Sequence, residues 1–152
     1  MTNVLLIYES LEPTNQELYK LLSYLSDNRV FSLRRKACME ISKHDIDWCD
    51  IVISVRSTSD YESRLSKYAK KLSKFWITAL DDDFLSLGDN YGCDIKGYSN
   101  ERKEQLKKVL GNSNCLLTGN KLLAEKYTYI GNIPRYAMIN TPVDCSSMIV
   151  PK

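Results

Sequence analysis

Short apolar runs alternate along this chain with segments in which apolar residues recur at helical spacing. The runs are continuous and partly β-branched, which is typical of strands buried on both faces of a parallel sheet. They occupy residues 4–8, 30–33, 51–55, 75–80, 115–118 and 136–139. Strand-length runs separated by helix-length segments predict βαβ units, in which successive parallel strands are joined by helices.

Helix signals fill the connections between these runs. In the first connection Thr14 is a predicted N-cap, with Glu17 three residues later as its capping-box partner, and leucines then recur on one helix face. Further helices are predicted at residues 61–72, 100–110 and 120–127. Residues 86–99 hold three of the six glycines and predict a loop. The predicted fold class is α/β, a Rossmann-like three-layer α/β/α arrangement with a mostly parallel sheet of five to six strands.

The composition indicates one globular domain. The chain has 152 residues, of which 43% are hydrophobic and 26% charged, and a net charge of +2. Because lysines and arginines are mostly scattered among acidic residues, we expect no nucleic-acid partner. The five cysteines form no C-x-x-C pair and there is a single histidine, so we expect no metal site and free thiols in a reducing compartment.

The amino-terminal residues show no targeting signal. No basic region precedes the first apolar run, and that run is too short for a signal peptide or a membrane span. We therefore expect a cytoplasmic protein, and the same observation leaves open a longer parent protein at the inner face of the cell membrane.

Polar residues follow the predicted strands at the edge where parallel α/β sheets bind ligands. An arginine, several hydroxyls and several carboxylates converging there would suit a polyhydroxyl or phosphorylated ligand. The residues at this edge are Glu9, Ser10, Arg34, Arg35, Arg56, Ser57, Thr58, Asp81, Asp82, Asp83, Thr118, Gly119 and Asn120.

Three consecutive carboxylates, Asp81, Asp82 and Asp83, end the apolar run at residues 75–80. Like charges in a row repel each other, so their placement at the mouth of the sheet indicates a site. An N-cap with first-turn charges is the alternative explanation. Mg²⁺ binding is less favoured, because consecutive side chains cannot all point at one ion. Arg56 follows a predicted strand at the same edge and is a further candidate for ligand binding, although an ion pair with a nearby carboxylate would explain its position almost as well.

Several familiar motifs are absent from the sequence. It contains no G-x-G-x-x-G dinucleotide fingerprint, no P-loop and no G-x-S-x-G nucleophile elbow. A receiver-type phosphoacceptor domain should carry several acidic residues after the first strand, and only Glu9 is found there. The single histidine, His44, precedes the run at residues 51–55, opposite the expected site, and is predicted to lie on the surface.

Four segments, in order, resemble the N-terminal domain of bacterial GT-B glycosyltransferases of the group 1 (family 4-like) type, in particular enzymes of cell-surface polysaccharide synthesis. Residues 50–56 (DIVISVR) resemble the family's strand in which an aspartate precedes an apolar run and an arginine follows it. Residues 75–85 (FWITALDDDFL) resemble the family's apolar strand that is followed by aspartates and an aromatic residue. Residues 115–124 (CLLTGNKLLA) and 137–144 (AMINTPVD) resemble a strand-and-helix segment and the crossing into a second domain. Gly119 departs from the pattern, which usually has a second hydroxyl residue there.

The resemblance implies a division of labour between two domains. Residues 1–144 would form the acceptor-side domain and residues 145–152 the start of the inter-domain linker, while a missing C-terminal domain would hold a nucleotide-sugar donor. This domain would need no cofactor of its own, and would be inactive alone because half of the cleft is absent. The partners would be a glycan or lipid-linked acceptor, with peripheral membrane association of the full-length protein.

The resemblance also implies roles for the residues at the sheet edge. Asp81, Asp82 and Asp83 would be the catalytic candidates, one of them binding an acceptor hydroxyl or acting as base. The acceptor-binding candidates are Arg56, Ser57, Glu9, Ser10, Thr118 and Asn120. Two alternatives remain: a stand-alone flavodoxin-like signalling or protein-interaction module without catalysis, and a Mg²⁺-dependent phosphate-handling enzyme that uses the aspartates.

Overall fold

The computed structural model describes residues 1–9, 13–87 and 99–139. Strands and helices alternate along these residues. The strands are β1 (Asn3–Tyr8), β2 (Ser32–Ala37), β3 (Ile51–Val55), β4 (Phe75–Ala79), β5 (Cys115–Thr118) and β6 (Tyr136–Met138). The helices are α1 (Pro13–Asp27), α2 (Lys43–Trp48), α3 (Asp60–Lys71), α4 (Asn100–Leu110) and α5 (Lys121–Gly131), and a 3₁₀ turn (Cys38–Glu40) precedes α2.

The six described strands form one sheet in the order β2-β1-β3-β4-β5-β6, and every neighbouring pair is parallel. The α/β class and the Rossmann-like parallel sheet predicted from the sequence are confirmed. The chain runs from β1 outward to β2 and then returns to the other side of β1 with β3. The β1–β3 boundary is therefore the point where strand order reverses, and ligands of such sheets bind at the carboxyl ends of the strands there.

The core has two main layers, one on each face of the sheet. On one face Leu5, Val52 and Trp76 pack against α2, α3 and α4, and all three are fully buried. On the other face α1 covers alternate residues of the same strands through Leu18 and Leu22. Alternation along each strand thus sends apolar side chains to both faces, which explains why the runs read as continuous.

The second strand lies later than the sequence predicted. β2 spans Ser32–Ala37 rather than residues 30–33, so Arg34 and Arg35 lie within the strand and do not follow it. Aromatic rings support both arginines: Arg34 lies 3.8 Å from the centroid of Trp48, and Arg35 stacks on Tyr8 and Tyr19. Among the described strands β2 pairs only with β1 and lies at one edge of the sheet, with β6 at the other. Its two arginines lie against aromatic rings from β1, α1 and α2.

Helix bounds differ from the predictions mainly at the termini. The Thr14 cap is wrong, because α1 already begins at Pro13, whose fixed φ and missing N–H suit the first helical position. The short α2 was not predicted, and α5 continues to Gly131, where Asn132 ends it in a left-handed conformation. His44 lies on α2 and is exposed, as predicted.

The cysteines within the described ranges are buried and unpaired. They are Cys38, Cys49 and Cys115. Burial raises the pKa of Cys38 to about 12 and that of Cys49 to about 11, so both thiols stay protonated and inert at neutral pH. Other predictions fall outside the described residues: Ser10, most of the loop at 86–99, Cys93, Cys145, the crossing segment from Asn140 onward and the linker at 145–152.

Candidate functional site

The carboxyl ends of β1, β3, β4 and β5 meet at one edge of the sheet, which we call the carboxyl rim. The structure brings most of the predicted site residues to this rim, because parallel strands all end on the same side. They separate into three groups of contacts, one centred on Arg56, one on Asp83 and one on Glu9.

Arg56 follows β3 with a left-handed backbone (φ 57°), which is unusual for a residue with a side chain. Its amide donates a hydrogen bond to the Ala79 carbonyl at the end of β4 (3.0 Å). The guanidinium donates from Nε to Asp81 Oδ1 (3.0 Å) and from Nη2 to Asp81 Oδ2 (2.5 Å), and lies 5.7 Å from the Phe84 ring centroid. Arg56 and Asp81 are thus held to each other before any ligand arrives.

Asp82 is the most exposed of the three aspartates. Its side chain is 61% exposed, and its carboxylate lies 3.7 Å from Arg56 Nη2, too far for a hydrogen bond. No described residue donates a hydrogen bond to this carboxylate. Asp82 is therefore the aspartate of the run whose oxygens can reach a ligand without giving up an internal bond.

Asp83 points toward α5. Lys126 Nζ donates to both of its carboxylate oxygens (2.9 and 2.7 Å), and the buried Tyr127 hydroxyl donates to Oδ1 (3.1 Å). Partial burial by itself would raise the pKa of Asp83, but hydrogen bonds from Lys126, Ser86 and Tyr127 lower it below its ordinary value. Asp83 therefore joins the β4 end to α5. The three aspartates diverge, as expected for consecutive residues.

The third group occupies the point where strand order reverses. Glu9, directly after β1, accepts a hydrogen bond from Thr58 Oγ1 (3.0 Å) and forms an ion pair with Arg102. Arg102 Nε also donates to Thr58 Oγ1 (2.9 Å). A guanidinium from the first turn of α4 thus reaches the crevice between β1 and β3.

A buried carboxylate supports the loop after β3. Glu62 is fully buried on α3 and accepts hydrogen bonds from the backbone amides of Thr58 and Ser59 (3.2 and 3.3 Å) and from Ser54 Oγ (3.3 Å). Burial, followed by repulsion from Glu9, raises the pKa of Glu62. These hydrogen bonds hold the backbone of the loop after β3 in place. The loop therefore presents the side chains of Arg56 and Thr58 at the carboxyl rim.

Three predicted acceptor-binding residues serve the protein itself in this structure. Ser57 is fully buried and its hydroxyl bonds to Ser54. Thr118 is only 2% exposed, and Asn120 caps α5 by accepting hydrogen bonds from Leu122 and Leu123 (2.9 and 3.4 Å). Asn120 remains exposed, whereas Ser57 and Thr118 lie beneath the surface.

Sequence reasoning missed Arg102, Lys126 and Glu62. Helices of βαβ units begin at the carboxyl rim, so basic residues near the start of α4 and α5 belong among the rim candidates, with Arg102 in the first turn of α4 and Lys126 in the second turn of α5. Glu62 had a local signal as well, since it lies three residues after the N-cap Ser59 and completes a capping box.

Residues 1–9, 13–87 and 99–139 contain no group of three or more His, Cys, Asp or Glu side chains that could hold a metal ion. None of the helices in these ranges is long and apolar enough to cross a bilayer. The chain matches no protein family model and no curated protein.

Proposed function

We propose that this chain is the acceptor-binding half of a glycosyltransferase, which moves a sugar from a nucleotide-sugar to a surface or secreted glycan. The observation that carries the proposal is the exposed Asp82 carboxylate beside the Arg56 guanidinium, which Asp81 fixes at the carboxyl rim. Sugar hydroxyls donate to carboxylates and accept from guanidinium groups, so adjacent groups of both kinds suit a polyhydroxyl acceptor. The order of the four resembling segments supports the same function.

Each aspartate takes a different role in this proposal. Asp82 binds the acceptor hydroxyl and acts as the candidate base, since its oxygens are accessible. Asp81 positions Arg56, and Asp83 positions the β4 end against α5. The crevice at Glu9 and Arg102 extends the polar surface along the rim.

The donor and the location of the reaction are part of the same proposal. The nucleotide-sugar is held by a second domain, which faces the carboxyl rim across a cleft. The acceptor-side domain needs no cofactor of its own. The full-length protein works in the cytoplasm, at the inner face of the cell membrane when its acceptor is lipid-linked. This chain alone is inactive because the donor and acceptor are not held together.

Turnover of the full-length protein tests the site. Asp82→Asn should lower turnover by about a hundredfold or more if Asp82 is the base, and Arg56→Lys should lower it by about tenfold because the two-point geometry is lost. Asp27→Asn is the matched control, since Asp27 is exposed at the opposite end of the fold, where α1 ends. Full activity of both rim variants would refute the site assignment.

A second candidate function is a flavodoxin-like signalling or protein-interaction module. The first five strands have the order 2-1-3-4-5, which is that of flavodoxin and receiver proteins. The mass of the endogenous product separates the two functions. A product of about 17.5 kDa would favour the module, and one about twice as large with nucleotide-sugar-dependent transfer would favour the glycosyltransferase.

A further inference from the structure

Arg35 lies on the α1 face of β2, and two of its guanidinium nitrogens have no hydrogen-bond partner among the described residues. Its guanidinium lies 4.7 Å from the ring centroid of Tyr8, at the end of β1, and 4.4 Å from that of Tyr19, on α1. These two nitrogens are Nε and Nη2, and both are buried. No ion pair joins Arg35 to a carboxylate of the described residues.

Buried guanidinium N–H groups are costly to leave unpaired, because they give up water without gaining another acceptor. The rings of Tyr8 and Tyr19 stabilise the charge through their faces, but they cannot accept hydrogen bonds in the guanidinium plane. Arg34, the neighbouring residue, stacks on Trp48 but is exposed, so water can satisfy its N–H groups. Of these two adjacent arginines, Arg35 is therefore the one whose buried N–H groups lack an acceptor among the described residues, and such groups favour the binding of a ligand.

The unpaired Nε and Nη2 atoms of Arg35 are equivalent to the two atoms with which Arg56 binds a carboxylate in the same molecule. Arg56 uses its own Nε and Nη2 to hold both oxygens of Asp81. Nε and Nη2 form one edge of the guanidinium and match the spacing of two oxygens in a carboxylate or phosphate. Aromatic contacts on the guanidinium fix the plane of that edge in advance.

We propose that Arg35, clamped between Tyr8 and Tyr19, is a binding site for the oxyanion of a ligand, either a phosphate or a carboxylate group. The site lies beside the carboxyl rim, since Glu9 in the rim directly follows Tyr8. Because Nε and Nη2 are buried, the proposal requires one of the half-buried rings of Tyr8 and Tyr19 to move as the ligand enters. The inference stands independently of the glycosyltransferase proposal.

The arginine Nε–H resonances of ¹⁵N-labelled protein report on this site directly. Inorganic phosphate and sodium acetate are titrated separately, with sodium chloride holding the ionic strength constant. We expect the Arg35 Nε–H resonance to shift in a saturable way with phosphate, acetate or both, and the tighter of the two identifies the oxyanion class. A resonance that moves with neither anion, or equally with chloride, would overturn the proposal.

Three variants separate binding from general electrostatics. The variants are followed through the backbone amide resonances of Tyr8 and Tyr19, which all of them retain. Arg35→Gln should abolish the saturable shift of these resonances, and Arg35→Lys should weaken anion binding by at least about tenfold, because lysine keeps the charge without the two-point edge. Arg34→Gln is the matched control and should bind as the unmodified protein does. Equal anion affinity in Arg35→Lys and Arg34→Gln would refute a role for the guanidinium edge. If Arg35→Gln fails to fold, the lysine variant and the wild-type titration decide the question.

Discussion

Arg56 and Asp81, which are 25 residues apart in the chain, form a two-point ion pair between the ends of neighbouring strands β3 and β4. Their side chains are 21% and 27% exposed, so water screens the pair only in part. The ion pair alters the interpretation of the acidic run at residues 81–83. One of the three carboxylates, Asp81, neutralises the Arg56 guanidinium, which extends from the end of the neighbouring strand β3.

The coupling between these two side chains can be measured with a double-mutant cycle of Arg56→Met and Asp81→Asn. Each single change should lower the free energy of unfolding by about 1–3 kcal/mol, since it leaves a partly buried charged partner behind. Urea unfolding of all four proteins should give a coupling energy of about 1 kcal/mol or more. A coupling energy near zero would show that the pair does not stabilise the fold.

The left-handed backbone of Arg56 predicts an unusual ranking of substitutions. Arg56→Gly and Arg56→Ala both remove the guanidinium, but only glycine adopts φ 57° without a steric cost. We expect the glycine variant to be more stable than the alanine variant by about 0.5–1 kcal/mol, the reverse of the usual order. The same comparison at Arg64, which lies inside α3, is the control and should favour alanine.

Asp82 and Asp83 should separate by stability and by pH. At pH 7 Asp82→Asn should change the free energy of unfolding by less than about 0.5 kcal/mol, because its carboxylate is exposed. Asp83→Asn should cost about 1–2 kcal/mol, because it loses charge-assisted bonds to Lys126. Since the folded pKa of Asp83 is lowered, its contribution is present above the ordinary value of 3.8 and is lost as pH falls through the folded pKa.

The measurement for the two aspartates is urea unfolding between pH 7 and pH 3. The difference between wild type and Asp83→Asn should shrink toward acid, while the difference for Asp82→Asn should stay small throughout. Equal effects of the two substitutions at pH 7 would contradict the roles assigned to these aspartates.

Glu62 should show the opposite pH dependence. Burial raises its folded pKa above the ordinary 4.5, so the folded state binds its proton more tightly than the unfolded state. Its contribution to stability is therefore full below pH 4.5 and falls as pH rises through the folded pKa. The free energy of unfolding of wild type minus that of Glu62→Gln should decline from pH 4.5 to pH 8. A difference that does not vary with pH would show that Glu62 titrates normally.

Local sequence signals were sufficient where the apolar pattern of an element and the residues that end it lie close together in the chain. The structure has β3, α4 and β5 at the predicted bounds, because continuous apolar runs and Ser or Gly caps act within a few residues. β2 was misplaced because its strand residues are basic, and the aromatic rings that support them come from β1, α1 and α2. No pattern within β2 itself indicates those partners.

The sequence by itself determined the α/β class, the parallel sheet and the edge at which polar residues collect, because strand and helix periodicity are local properties. Only the tertiary structure decided which charges meet: Asp81 with Arg56, Asp83 with Lys126, and Glu9 with Arg102, 93 residues away. These pairs depend on strand order and on where each helix begins. The same dependence leaves Arg35 Nε and Nη2 beside two tyrosines and without an acceptor in residues 1–9, 13–87 and 99–139, since the packing of α1 on the sheet determines which side chains surround them.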